Sequence, residues 1–269
     1  MKMLGKTCAL IMLCLIPALS FAGERKFTYV YDAELLPEDT WEFEQWVTNE
    51  SGKDDGDYSK WTLRSEIEYG ISETLQTALY LNLQSERFEG VSGEEDGSDT
   101  EFKGISSEWV YQLLNPITDA VGLALYAEYT TDGIDQELES KILLSKDIGD
   151  NWSTAFNAIY ELEREKEGGE TEKEGTLEFT AGISRRICAG WSAGLEARQK
   201  SAYPDGYDLS GQEYQAVSVG PVVHYGGKKA WGTLTILPQV WGNGDGATGN
   251  RQLVHEEKME VRLIVGTFF

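Results

Sequence analysis

Residues that carry chemistry or staple a fold are scarce in this chain, which has 2 His and 3 Cys among 269 residues. Cys8 and Cys14 fall in an N-terminal stretch that reads as removable, so Cys188 is left alone and no internal disulfide can form. Cys188 stands in the turn-like run Arg186-Ile187-Cys188-Ala189-Gly190 with no His or second Cys beside it, the setting of an inert thiol. Positive charge is scarce too. Lys and Arg total 23 against 46 Asp and Glu, a formal net charge of -23. Nucleic acid is therefore excluded as a partner, because binding it needs clustered bases that displace counterions. After the first segment no run is apolar enough to cross a membrane as a helix, and helical periodicity is hard to find.

What is present begins with MKMLGKTCALIMLCLIPALSFA. Lys2 and Lys6 precede an apolar run, and the small-residue ending Ala18-Leu19-Ser20-Phe21-Ala22 follows it. This is the layout of a cleaved secretory signal over residues 1–22, and the lack of a Cys at the cleavage point argues against a lipoprotein. Cleavage removes Lys2 and Lys6 and no acid, so the exported chain is still more acidic.

Beyond residue 40 the recurring pattern is alternation. Leu75, Thr77, Leu79, Leu81 and Leu83 oppose Gln76, Ala78, Tyr80, Asn82 and Gln84, the pattern of a strand with one apolar face. The same reading predicts twelve strands, over 41–49, 59–69, 75–87, 102–113, 120–129, 136–146, 152–163, 175–186, 191–202, 213–225, 231–241 and 256–269. Most reach the ~9–11 residues that a tilted strand needs to cross a bilayer. Their connections alternate between short turns and longer segments rich in Gly, Asp and Glu, such as 89–100, 164–174 and 242–254. Short periplasmic turns, longer extracellular loops and an even strand count predict an all-β fold, a transmembrane antiparallel β-barrel over 41–269. Residues 23–40 are then a periplasmic or lumen-entering segment.

Aromatic girdles are expected at both interfaces. Trp41, Tyr69, Tyr111, Trp152, Trp191, Tyr225 and Trp231 sit toward short-turn ends, and Tyr58, Trp61, Phe88, Phe102, Tyr129, Tyr203 and Trp241 toward long-loop ends. In the last strand Val261, Leu263 and Val265 take the lipid side, and terminal Phe269 has the form of an assembly signal for the barrel assembly machinery. Pro221 and Pro238 interrupt the tenth and eleventh strands, where each must remove a ladder bond or mark a bulge. A soluble secreted β-sandwich is the competing fold.

With the apolar face turned to lipid, the inward set is charged and mostly acidic. Its candidate pore-lining members are Glu44, Arg64, Glu66, Glu128, Lys141, Glu196, Arg198 and Arg262. Either these groups pair and fill the barrel or they line a wet path. The functional expectation is a narrow porin-like channel or transporter for small solutes with a weak cation preference. Two alternatives stand beside it: a non-conducting structural or surface-binding barrel with an ion-paired interior, and an outer-membrane hydrolase. A hydrolase needs a catalytic His, and neither His224 nor His255 sits in a recognisable triad or dyad sequence, although Asp245 or Glu256 lies near His255. No enzyme, cofactor or metal site is expected. The acidic runs 93–99 and 242–250 lack the spacing of a calcium loop and read as solvated surface.

The run from Lys26 to Tyr31, the run Leu36-Pro37-Glu38-Asp39-Thr40-Trp41 through Thr48, and the later Gly220-Pro221 resemble poorly characterised bacterial outer-membrane proteins. These include proteins similar to transporter barrels linked to aromatic-compound degradation. The resemblance implies the outer membrane of a Gram-negative bacterium, with lipid and lipopolysaccharide as surroundings, and it carries over no substrate-binding residue.

Overall fold

A computed structural model describes residues 24–167, 170–206 and 208–269. The signal-peptide reading lies outside the described residues. Among the described residues twelve strands form one closed barrel, each antiparallel to its neighbours in sequence. They are β1 (Trp41–Ser51), β2 (Asp57–Ser72), β3 (Leu75–Glu89), β4 (Gly97–Leu114), β5 (Gly122–Thr131), β6 (Gln136–Ile148), β7 (Trp152–Glu167), β8 (Glu170–Cys188), β9 (Trp191–Tyr203), β10 (Tyr214–Gly226), β11 (Ala230–Gly244) and β12 (Met259–Phe268). Pairing of β1 with β12, from Glu42↔Phe268 to Ser51↔Met259, closes the sheet and leaves no edge. The Phe269 amide adds one more bond, to the Trp41 carbonyl at 3.0 Å.

The barrel is inside-out relative to a soluble sandwich. On β3, Leu79 and Leu81 are 65% and 56% exposed while the intervening Tyr80 is 1% exposed. A sandwich buries its leucines in its own core, so a band of outward leucines requires apolar surroundings. The same phase governs β12, where Leu263 and Val265 face out and Ile264, Glu260 and Arg262 face in.

Most expected girdle aromatics are exposed on the outer face, among them Trp41, Trp61, Phe102, Tyr111, Tyr129, Trp152, Tyr225 and Trp241. Trp231 is not. Leu234 and Ile236 take the outer face of β11, so Trp231 shares the inner phase with Thr233 and Thr235 and donates its indole N–H to Glu42. Tyr58 is likewise on the inner phase of β2, and Tyr203 is buried.

Two expectations about strand ends change. The expected loop 164–174 is ladder: β7 and β8 stay paired out to Glu167↔Glu170. Directly opposed Arg164↔Lys173 and Glu165↔Glu172 carry like charges, so main-chain bonds and not charge pairing extend this hairpin. The expected disturbance at the prolines is located between β10 and β11. Their register shifts at Val217/Ser218, and residues 219–221 lie across from 236–238 without ladder partners. Neither Pro221 nor Pro238 has an N–H to give, and a Cβ on Gly220 would lie 1.8 Å from the Ile236 carbonyl oxygen.

Candidate functional site

The lumen is occupied by the chain's own N-terminal segment. Residues 24–40 form no helix or strand, so each buried main-chain amide needs a partner elsewhere. Side chains of the barrel wall supply these partners in sequence around the circumference. Leu36 donates its N–H to Gln76 on β3 at 2.8 Å, and Ala33 to Ser145 on β6 at 3.0 Å. Gln112 on β4 donates to the Ala33 carbonyl at 2.7 Å. Asn157 on β7 takes both polar groups of Tyr31, accepting its N–H at 2.7 Å and donating to its carbonyl at 2.9 Å. Glu196 on β9 accepts the amides of Thr28 and Tyr29 at 2.5 and 3.3 Å. Thr233 on β11 donates its hydroxyl to the Arg25 carbonyl, and Arg25 then reaches Glu44 on β1 and Glu68 on β2, both at 3.0 Å. The segment thus makes a near-complete circuit inside the wall. Its side chains fit the same path: Phe27 passes so close to β8 that a Cβ on Gly182 would lie 2.7 Å from its ring.

Aromatic side chains of the segment organise the cations. Tyr31 packs edge-on against Tyr126 with centroids 5.3 Å apart. Its ring carries Lys141 at 3.9 Å and Arg25 at 4.2 Å, while Arg262 lies 4.0 Å from the centroid of Tyr29. Each contact holds a desolvated cation over a π face.

All eight residues singled out as pore-lining point inward, but they divide into three groups. Glu44 and Glu66 belong to a buried carboxylate cluster with Glu42, Glu68 and Glu108 in the half nearer the short connections. Arg64, Glu128 and Lys141 surround Tyr31: Arg64 pairs with Glu128 at 3.2 Å and Lys141 with Glu139 at 2.8 Å. Glu196, Arg198 and Arg262 surround Tyr29, with Arg198 bridging Glu178 at 2.7 Å and Glu260 at 2.8 Å. Arg25, Tyr29, Tyr31, Trp46 and Asn157 escaped the sequence reading. Phe27, Tyr29 and Tyr31 recur at alternate positions, a usable signal of a buried extended segment, whereas nothing local marks Asn157.

Above the segment, in the half nearer the long loops, lies a cavity of about 200 Å³. Tyr29, Tyr31 and Trp46 are part of its lining. Glu137, Glu139, Glu161 and Glu178 line it from β6 to β8, and Arg64, Arg198, Lys200 and Arg262 from β2, β9 and β12. Lys141 on β6 joins the lining as well, so the wall is charged with both signs, and two of its acids pair directly with its bases: Glu139 with Lys141 at 2.8 Å and Glu178 with Arg198 at 2.7 Å. Beside it Glu256 receives Lys200 at 3.1 Å and the Tyr214 hydroxyl at 3.1 Å. Burial acts to raise the Glu256 carboxyl, but Lys200, Arg198 and these bonds prevail and hold it below the ordinary glutamate range.

The two histidines lie in different places, His224 on β10 and His255 just before β12. His224 is buried, with Nδ1 2.7 Å from the Thr233 hydroxyl oxygen and Nε2 3.4 Å from Glu24. The Thr233 proton goes to the Arg25 carbonyl, so this hydroxyl is committed to holding the segment and is not presented to a base as a nucleophile. His255 stacks on Tyr214 with centroids 4.7 Å apart, and its ring joins Asp245 and Glu213 in a group whose ligand atoms lie within 4.8 Å. Among the described residues no hydrogen bond links that ring to Asp245 or Glu256.

A family model described as a family of unknown function (DUF6662) matches residues 19–269. No curated protein matches the sequence. Among solved structures, the COG4313 outer membrane channel from Pseudomonas putida F1 is similar, with a TM-score of 0.62 and 10% identity, over 90% of this chain and 100% of that one. The NanC porin is similar with a TM-score of 0.51 and 11% identity, over 84% of this chain and 98% of that one. At these identities the likeness is one of fold.

Proposed function

The chain belongs to the DUF6662 family, and we propose that it is a narrow outer-membrane channel for small solutes, closed at rest by its own residues 24–40. The observation that carries this reading is the cavity in the upper lumen, lined by charged side chains of both signs and by aromatic side chains of the segment itself. A barrel kept solely for its shell has no need of a cavity lined by charged groups. The outward apolar band and the fold shared with a channel and a porin support the same reading and the membrane location.

Conduction requires the segment to move, since its backbone is fastened on β3, β4, β6, β7, β9 and β11. Once it leaves, Arg25 leaves with it and the inward glutamates outnumber Arg64, Lys141, Arg198, Lys200 and Arg262. Ion pairing weakens the resulting field, so the preference for cations is weak. The acidic long loops share divalent cations with lipopolysaccharide in this reading, and Phe269 is presented to the assembly machinery. The filled, non-conducting barrel is the rival reading, favoured by the double pairing of Arg198.

Planar-bilayer recording under a salt gradient separates the two. Wild type should show rare, small openings; a variant lacking residues 24–36 should conduct steadily, with a reversal potential shifted modestly toward cations. A folded deletion variant that stays silent would leave the non-conducting barrel as the answer.

A further inference from the structure

Glu42, Glu44, Glu66, Glu68 and Glu108 are each 0–2% exposed and lie on β1, β2 and β4 around one point in the lower lumen. Their carboxylate oxygens form two triads that share Glu68, Glu42/Glu44/Glu68 and Glu66/Glu68/Glu108, each with ligand atoms within 4.8 Å of one another. Among the described residues one cation reaches them: Arg25, at 3.0 Å from Glu44 and Glu68 and 3.9 Å from Glu66. Five carboxylates against one guanidinium is an imbalance that a desolvated site relieves by taking up protons or a further cation.

The hydrogen bonds show which oxygens lack a partner. Glu44 accepts from Trp46 at 2.7 Å, Glu68 from Gln76 at 2.9 Å, Glu42 from Trp231 and Glu108 from Tyr80. Glu66 accepts none on either oxygen, and one oxygen each of Glu42 and Glu108 is also without a donor. Glu66 and Glu108 thus aim bare, fully buried oxygens into the same triad. Such acceptors normally find a partner, and an all-oxygen carboxylate set selects a hard divalent cation. A way in exists. A cavity of about 40 Å³ is lined by Glu68 and Glu108 and, on the segment, by Glu24, Asp32 and Glu34.

We propose that Glu66, Glu68 and Glu108 bind a calcium-class divalent cation, in competition with Arg25 of the N-terminal segment. The cation takes Glu68 from the guanidinium and repels it, so the two occupants weaken each other. The site stands whether or not the barrel conducts. Trp46 and Trp231, each bonded to a glutamate of the cluster, supply a reporter, because a bound terbium ion near an indole emits when the indole is excited.

Folded full-length protein is titrated with terbium under tryptophan excitation, and the ion is then displaced with calcium. Saturable, calcium-displaceable emission is expected, with affinity at least tenfold weaker in the E66Q, E108Q double variant and at least tenfold tighter in R25Q. Heat-modifiable gel migration checks that each variant is folded. Should the double variant not fold, Glu66→Gln alone serves, since Glu66 makes no hydrogen bond to lose. Affinity unchanged by the glutamate substitutions would place the emission at the acidic loops and overturn the site; affinity unchanged or weaker in R25Q would overturn the competition.

Discussion

Asn157 is one side chain, yet it satisfies both main-chain polar groups of Tyr31 in the middle of the lumen. Truncation to Ala leaves a buried N–H and a buried C=O without partners, at a cost of about 1–3 kcal/mol for a group so stranded. If the segment is the gate, Asn157→Ala raises the open population by roughly 5–30-fold for about 1–2 kcal/mol lost. Single-channel open probability measures this, and an unchanged value would show that Tyr31 is not part of the closed state. At the rim, Asp132 accepts the amides of Ile134 and Asp135, both at 2.8 Å. These main-chain bonds hold its carboxyl below the ordinary aspartate range. A carboxyl lowered in the folded state contributes stability that is present above its unfolded pKa and is lost as pH falls through the folded one. The Ile134 and Asp135 amide shifts should therefore titrate together with a midpoint under the ordinary value of 3.8, and the titration should vanish in D132N. A midpoint at or above the ordinary value would contradict the assignment.

Along the strands, alternation made most of the architecture legible. The outward set of β3 and β12 follows directly from apolar residues at every second position. What alternation misses is the end of a strand, because a ladder that runs past the apolar band loses its hydrophobic signature while keeping its bonds. This is why 164–174 reads as a loop although β7 and β8 pair through it. Trp231 fails for a related reason: an aromatic near a strand end is outward or inward by phase, and its partner Glu42 is far away in sequence. The site was legible only on its wall side. Glu44 and Glu196 were reachable from strand phase, whereas their partners Arg25 and Thr28 come from a segment with no periodic structure. At the β10–β11 seam, Gly220→Ala drives a methyl group into the Ile236 carbonyl. A substitution of this kind belongs with the severe strain class, so the folded, heat-modifiable band should be lost or its transition lowered by well over 10 °C. Normal migration would mean that the seam relaxes freely.

For the molecule as a whole, the proposed role of Phe269 in delivery can be separated from its part in closure. The Phe269 main chain helps to close the barrel through the Trp41 carbonyl, while its side chain is 72% exposed and packs little against the rest of the chain. An exposed side chain far from a cap, a core contact or a buried bond changes folded stability by no more than about 0.5 kcal/mol when replaced. The Phe269→Ala variant should therefore match wild type in thermal transition once refolded in detergent. If Phe269 is the assembly signal proposed above, recognition depends on the aromatic group itself, and insertion into outer membranes during biogenesis should fall several-fold while the main-chain bond stays in place. The two measurements divide the roles. Lower thermal stability with normal insertion would make Phe269 a structural residue of the seam, and normal values in both would remove it as an assembly signal. Loss of insertion alone is the result expected for a strand end whose side chain serves delivery and whose amide serves closure.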